Sequence, residues 1–117
     1  MSRRDLLYLE DIIEACEKIQ EYVQGYSYET FLADSKTRDA VARNLQIIGE
    51  AARRLSPELK DAHSEVEWNR IAGLRNRIVH EYSGIDWQIV WDVIVARLPE
   101  LRDQAEMILR TEFGEEG

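Results

Sequence analysis

An all-α fold is predicted by three features of this 117-residue chain. Apolar residues recur at three- and four-residue spacing almost throughout, no segment alternates apolar and polar as a strand does, and helix-capping residues precede several of the apolar runs. A hydrophobic fraction of 44% is that of a folded globule. The length suits one domain, read as residues 1–114, with a frayed acidic tail at 115–117.

In the first stretch Leu6, Leu9, Ile13, Cys16 and Val23 fall on one helical face. Ser2 and Asp5 have the spacing of a capping pair, and Gly25 marks the stop. Ser27 to Leu32 suits a short helical turn. From about Thr37 to Leu55 the residues Val41, Leu45, Ile48, Ala52 and Leu55 form a narrow seam, so a long helix is expected there. Ser56-Pro57-Glu58 starts a short helix over Pro57 to about Ala62, with serine as cap and proline at the first helical position. Ser64 and Glu67 have capping-box spacing, which predicts a helix from near Glu65 through to about Ser83-Gly84. Asp86 caps a last helix whose face carries Trp87, Val90, Trp91, Ile94, Leu98, Leu101, Ala105 and Ile108. Pro99 should kink it or break it in two.

The single cysteine, Cys16, excludes an intramolecular disulfide and a cysteine-based zinc site, and its place on an apolar stripe marks it as a buried small hydrophobe. No signal-peptide pattern or long apolar run is seen, so a cytoplasmic protein without membrane contact is expected. The net charge of −8 argues against a non-specific nucleic-acid coat protein. That charge is unevenly spread: Lys36 to Arg77 holds nine basic and six acidic residues, and the rest of the chain six basic and seventeen acidic. A locally basic middle on an acidic body suits a confined anionic ligand better than a long duplex, although ordinary helix-surface charge would give the same pattern.

The run Arg75-Asn76-Arg77-Ile78-Val79-His80-Glu81-Tyr82 carries the most chemistry. Arginine offers a planar fork of donors to a phosphate, and histidine gives and takes protons near neutrality. On a helical wheel Trp68, Ile71, Ile78, Val79 and Tyr82 make an apolar arc with Arg75 in its middle. Such an arginine either finds an anion or lies at the arc's edge with its stem packed and its head in water; apart from the nearby histidine, the edge is favoured. Asn69, Gly73, Asn76 and His80 stack on a second face that reads as a contact between two copies of the chain, or as a plain solvated face. Arg75 and His80 project roughly 140° apart on a regular helix, so the helix must distort near His80, the arginine reach round, or a second subunit complete the site. His63, in a polar connection, is expected at the surface. Tyr82 on the apolar arc is either a core tyrosine or a reachable hydroxyl.

Arginine, four residues, histidine, one residue, tyrosine resembles the signature of HEPN-domain ribonucleases, in particular of HepT-like toxins. Arg43 to Ala52 (RNLQIIGEAA) looks like a second block of that group, Ser35 to Ala40 like the segment leading into it, and Trp68 to Asn76 continues into the motif in the same way. The resemblance implies a HEPN-type antiparallel bundle of four to five helices, homodimeric, with two motifs facing each other in one cleft. It implies RNA cleavage without a metal or other cofactor, and an antitoxin partner of the minimal nucleotidyltransferase (MNT) type. Arg75 and His80 then take the catalytic positions, with Asn76 and Tyr82 in support. Tyr82 also matches the tyrosine to which such antitoxins transfer AMP. Arg38, Asp39, Asn44 and Glu50 match family-typical positions, and Gly49 and Glu50 could equally serve helix packing.

On this basis His80 removes a proton from a 2′-hydroxyl or protonates the leaving oxygen, while Arg75 stabilises charge on the phosphate. Two other readings compete with it. In one, Arg75, Asn76 and His80 form a non-catalytic network that sets dimer register. In the other, they hold an adenylate or other phosphate in a nucleotide-binding or regulatory subunit of a nucleotidyltransferase pair.

Overall fold

In this computed structural model, which describes residues 1–80 and 84–114 with the side chain of His80 outside the description, the expected cap opens the first helix. The Ser2 hydroxyl accepts from the Asp5 N–H at 3.1 Å, and α1 runs Arg3–Tyr22. Its buried apolar side chains are Leu9, Ile12, Ala15, Cys16 and Ile19, so the inward face is rotated from the one the spacing suggested, and Leu6, Ile13 and Val23 lie at its margin. Burial pushes the Cys16 thiol up to about 12, which leaves it an inert core residue as expected.

The Asp5 carboxylate serves a distant partner. It accepts from the Ser56 N–H at 2.9 Å and the Ser56 hydroxyl at 2.6 Å, while that hydroxyl accepts from the Leu59 N–H. Two helix starts are thus joined through one buried carboxylate, and the start of α1 is fixed beside the end of α3 (Ser35–Arg54). The two long helices therefore run antiparallel. At the other end of α1, Glu17 pairs with Arg102 near the start of α8 (Leu98–Phe113), so α8 is antiparallel to α1 as well. Leu9, Ile12, Ile19, Val41, Ile48, Val90 and Ile108 are fully enclosed between these helices and α7 (Trp87–Ala96).

Short helices make the connections: α2 (Tyr28–Ala33) capped by Ser27, α4 (Pro57–Ala62) capped by Ser56, and α5 (Trp68–Ala72) and α6 (Leu74–Ile78). The class is all-α, a bundle of four longer helices with short ones between them. Asp34 caps α3 and starts it two residues before Thr37. Asp86 caps α7 through the Ile89 N–H, and the chain breaks at Arg97 ahead of Pro99, where α8 begins.

The motif region departs from the expected single helix at three points. The start moves from Glu65 to Trp68, because residues 63–66 form a turn held by Val66 N–H to the His63 carbonyl and by the Trp68 indole N–H to the same oxygen at 3.0 Å. Glu67 stands at the N-cap with no side-chain cap bond. The helix then ends at Ala72 and resumes at Leu74, with Gly73 at φ −90° and ψ 8° as the joint. Finally it stops at Ile78 rather than near Ser83-Gly84: Val79 and His80 (β1) pair antiparallel with Ile85 and Gly84 (β2), and Gly84 takes φ +81°. The β-branched pair Ile78-Val79 and the left-handed glycine favour that exit over another helical turn.

Candidate active site

The groove that holds the motif is built on α3. Its seam of Val41, Leu45, Ile48, Ala52 and Leu55 is buried, which leaves Arg43, Gln46, Glu50 and Arg53 on the outward side. Gly49 lies between, where α5 crosses closely: a Cβ there would stand 3.4 Å from the Ile71 carbonyl oxygen. Close packing at Gly49 sets α5, and through Gly73 the start of α6, beside this wall. Arg75 and Asn76 on α6 then face a groove of about 630 Å³ together with Arg43, Gln46, Glu50 and Arg53, while Tyr8 and Asp11 of α1 complete the lining.

Besides the exposed carboxylate of Asp11, the charges in this groove fall into two groups. Glu50 accepts from both Arg53 and Arg54, and these bonds, Arg54 first, hold its carboxyl below the usual carboxylate range. Arg54 is in turn raised, chiefly by Glu50 and then by the Tyr8 hydroxyl. Arg43 and Arg75 are exposed and have no carboxylate or hydrogen-bond partner among the described residues. Two uncommitted guanidiniums in a concave, partly apolar site are arranged for an anion.

Arg75 is neither buried nor centred on an apolar arc; its head is in water, as an edge position requires. The arc itself dissolves with the helix, since Trp68, Leu74 and Ile78 are buried whereas Val79 is 38% exposed. The stripe of Asn69, Gly73, Asn76 and His80 is likewise not one helical face. Asn69 lines a separate depression with Pro57, Lys60 and Asp61, and Asn76 lines the main groove. His80 leaves the helix on β1, so the distortion expected near it is present in the backbone. Tyr82 falls outside the described residues.

His63 is not at the surface. Only 9% exposed, it meets Glu112 of α8 at 2.6 Å through Nε2, because the turn at 63–66 folds under Trp68. Among the family-typical positions, Arg38 donates to the Leu32 carbonyl and lies over the Trp87 ring at 5.3 Å. Buried Asn44 donates to the Ala40 carbonyl at 2.9 Å. Asp39 is exposed, Gly49 packs against α5, and Glu50 is in the groove. Arg43, Gln46, Tyr8 and Asp11 are lining residues that the apolar pattern did not reveal. The outward spacing of 43, 46, 50 and 53 was the available sign, a polar stripe complementary to the seam. Among the described residues, no three His, Cys, Asp or Glu side chains gather as they would around a metal ion, and no helix is long and apolar enough to cross a membrane.

The fold and the groove define the class as an all-α helical bundle with an arginine-bearing polar groove on one face of α3. The match to known sequences narrows the class: the model of the ribonuclease HepT-like family fits residues 12–108, and the chain belongs to that family. It is 43% identical over 105 residues to a protein of Caldanaerobacter subterraneus subsp. tengcongensis named as a putative RNase, covering 90% of this chain and 94% of that one. It is 38% identical over 108 residues to the probable ribonuclease HepT of Thermococcus cleftensis, with 92% and 98% covered. A putative RNase of Methanocaldococcus jannaschii is 32% identical over 117 residues, with 99% and 97% covered. No solved structure matches the chain.

Proposed function

We propose that this protein is the ribonuclease of a toxin–antitoxin pair and cuts RNA at a cleft between two copies of the chain, using Arg75 and His80 without a metal. The observation that carries the proposal is Arg75: exposed, unpaired among the described residues, beside Asn76 in a groove, and five residues ahead of a histidine at which the helix has given way to extended chain. Family membership supports the RNA-cleaving activity.

In this mechanism a 2′-hydroxyl loses its proton to His80 and attacks the adjacent phosphorus, and the 5′-oxygen leaves after taking a proton from the histidine of the facing copy. Arg75 neutralises charge building on the non-bridging oxygens, and Asn76 donates to the phosphate. The products are a 2′,3′-cyclic phosphate and a 5′-hydroxyl. General acid–base catalysis supplies on the order of 10² to 10⁴ in rate, and fixed positive charge a similar or larger share. A paired minimal nucleotidyltransferase restrains the enzyme by transferring AMP to Tyr82, placing a bulky anion within the motif.

Cleavage of RNA in EDTA tests the activity. Wild-type protein should leave cyclic phosphate ends, and His80→Ala or Arg75→Ala, still folded and dimeric, should lose at least about 100-fold in rate. Undiminished cleavage by His80→Ala, or 3′-hydroxyl ends, would overturn the assignment. A one-AMP gain in mass at Tyr82 on incubation with the partner and ATP tests the restraint.

A further inference from the structure

Resting on this ribonuclease reading of the groove, we infer that Arg43 is a second phosphate-binding group, which makes α3 the wall that holds single-stranded RNA flanking the cleavage site. Arg43 shares the groove with Arg75 but comes from a different helix, and neither guanidinium is committed to a carboxylate among the described residues. The remaining groove arginine, Arg53, is already bonded to Glu50, so the free positive charge of the lining lies on Arg43 and Arg75.

The surroundings of Arg43 suit a nucleotide. Gln46, one turn further along α3, is exposed and carries both amide donor and acceptor for a base edge. Half-buried Ile47 and Tyr8 offer apolar surface to a base face. At about 630 Å³ and open to solvent, the groove has room for one or two nucleotides of a single strand. Two phosphate contacts on separate walls fix the line of the strand through the groove, with Arg75 meeting the phosphate being cut and Arg43 one of its neighbours. Arg43 is thus a binding and positioning residue with no part in proton transfer.

The test is binding of a short, fluorescently labelled 2′-O-methyl oligoribonucleotide, which cannot be cut, measured over a range of salt. Arg43→Ala should weaken binding roughly tenfold and flatten the slope of log K against log salt by about 0.7, the value of one lost single-strand phosphate contact. Arg43→Lys should keep the slope and recover much of the affinity, and Arg110→Ala, which removes the same charge away from the groove, should change neither. In cleavage of unmodified RNA, Arg43→Ala should raise KM with kcat retained. Wild-type affinity and slope in Arg43→Ala, with cleavage still lost in Arg75→Ala, would overturn the inference and leave the ribonuclease reading standing. Failure of the wild-type protein to bind or cut any RNA would overturn both.

Discussion

Gly49 on α3 packs directly against the backbone of Ile71 on α5: a Cβ built on Gly49 would stand 3.4 Å from the Ile71 carbonyl oxygen. The contact sets the distance between the two walls of the groove. A methyl fits there at ordinary van der Waals separation, whereas a branched side chain does not.

Gly49→Ala should therefore be tolerated. It should gain up to about 1 kcal/mol from helix propensity, with RNA cleavage unchanged. Gly49→Leu should lose about 1–3 kcal/mol through overpacking and lower cleavage as α5 and the attached Arg75 are displaced. Urea denaturation and initial rates on the two variants check this pair of outcomes.

Removal of the Asp5 carboxylate should cost on the order of 1–3 kcal/mol, since the Ser56 N–H and hydroxyl lose their acceptor in a buried place. Asp5→Asn, which keeps one acceptor oxygen, should fall between Asp5→Ala and wild type. Equal stability of Asp5→Ala and wild type in denaturant would show that the joint between α1 and α4 is not structural.

Asp34 gives the fold an acid-sensitive point. The Tyr26 hydroxyl, then the Thr37 hydroxyl and N–H, hold its carboxyl at about 2, below the ordinary 3.8. Because the folded value is the lower one, its contribution to stability is present above about pH 4 and fades as the pH falls toward 2. Thermal melts from pH 5 to pH 2 should show a shallower acid loss for Tyr26→Phe than for wild type. Identical profiles would mean that this cap does not contribute.

Most of the bundle was readable because single residues decided it. Ser2, Ser56 and Asp86 cap the helices they were expected to cap, the short turn expected from Ser27 is a helix that Ser27 caps, and the seam from Val41 to Leu55 is buried throughout. The motif helix was misread for reasons a wheel does not contain. Gly73 divides it at ordinary negative φ, and Val79-His80 leave it to pair with Gly84-Ile85, a ladder of two residues per strand that has no period to detect. His63 looked like a surface residue because its partner, Glu112, is 49 positions away. Arg75 and Asn76 were legible as chemistry from their types, but their neighbours Arg43 and Gln46 come from another helix. The packing of α5 and α6 on α3, closest at Gly49, brings those four to one groove.

A double-variant cycle measures the convergence of Arg75 and His80 on one phosphate most directly. With kcat/KM for RNA determined in EDTA for wild type, Arg75→Ala, His80→Ala and the double variant, groups acting together in one transition state give strongly non-additive losses. The double variant should then be scarcely slower than the slower single variant. Losses that multiply independently, or a single variant that cuts at the wild-type rate, would contradict a shared site.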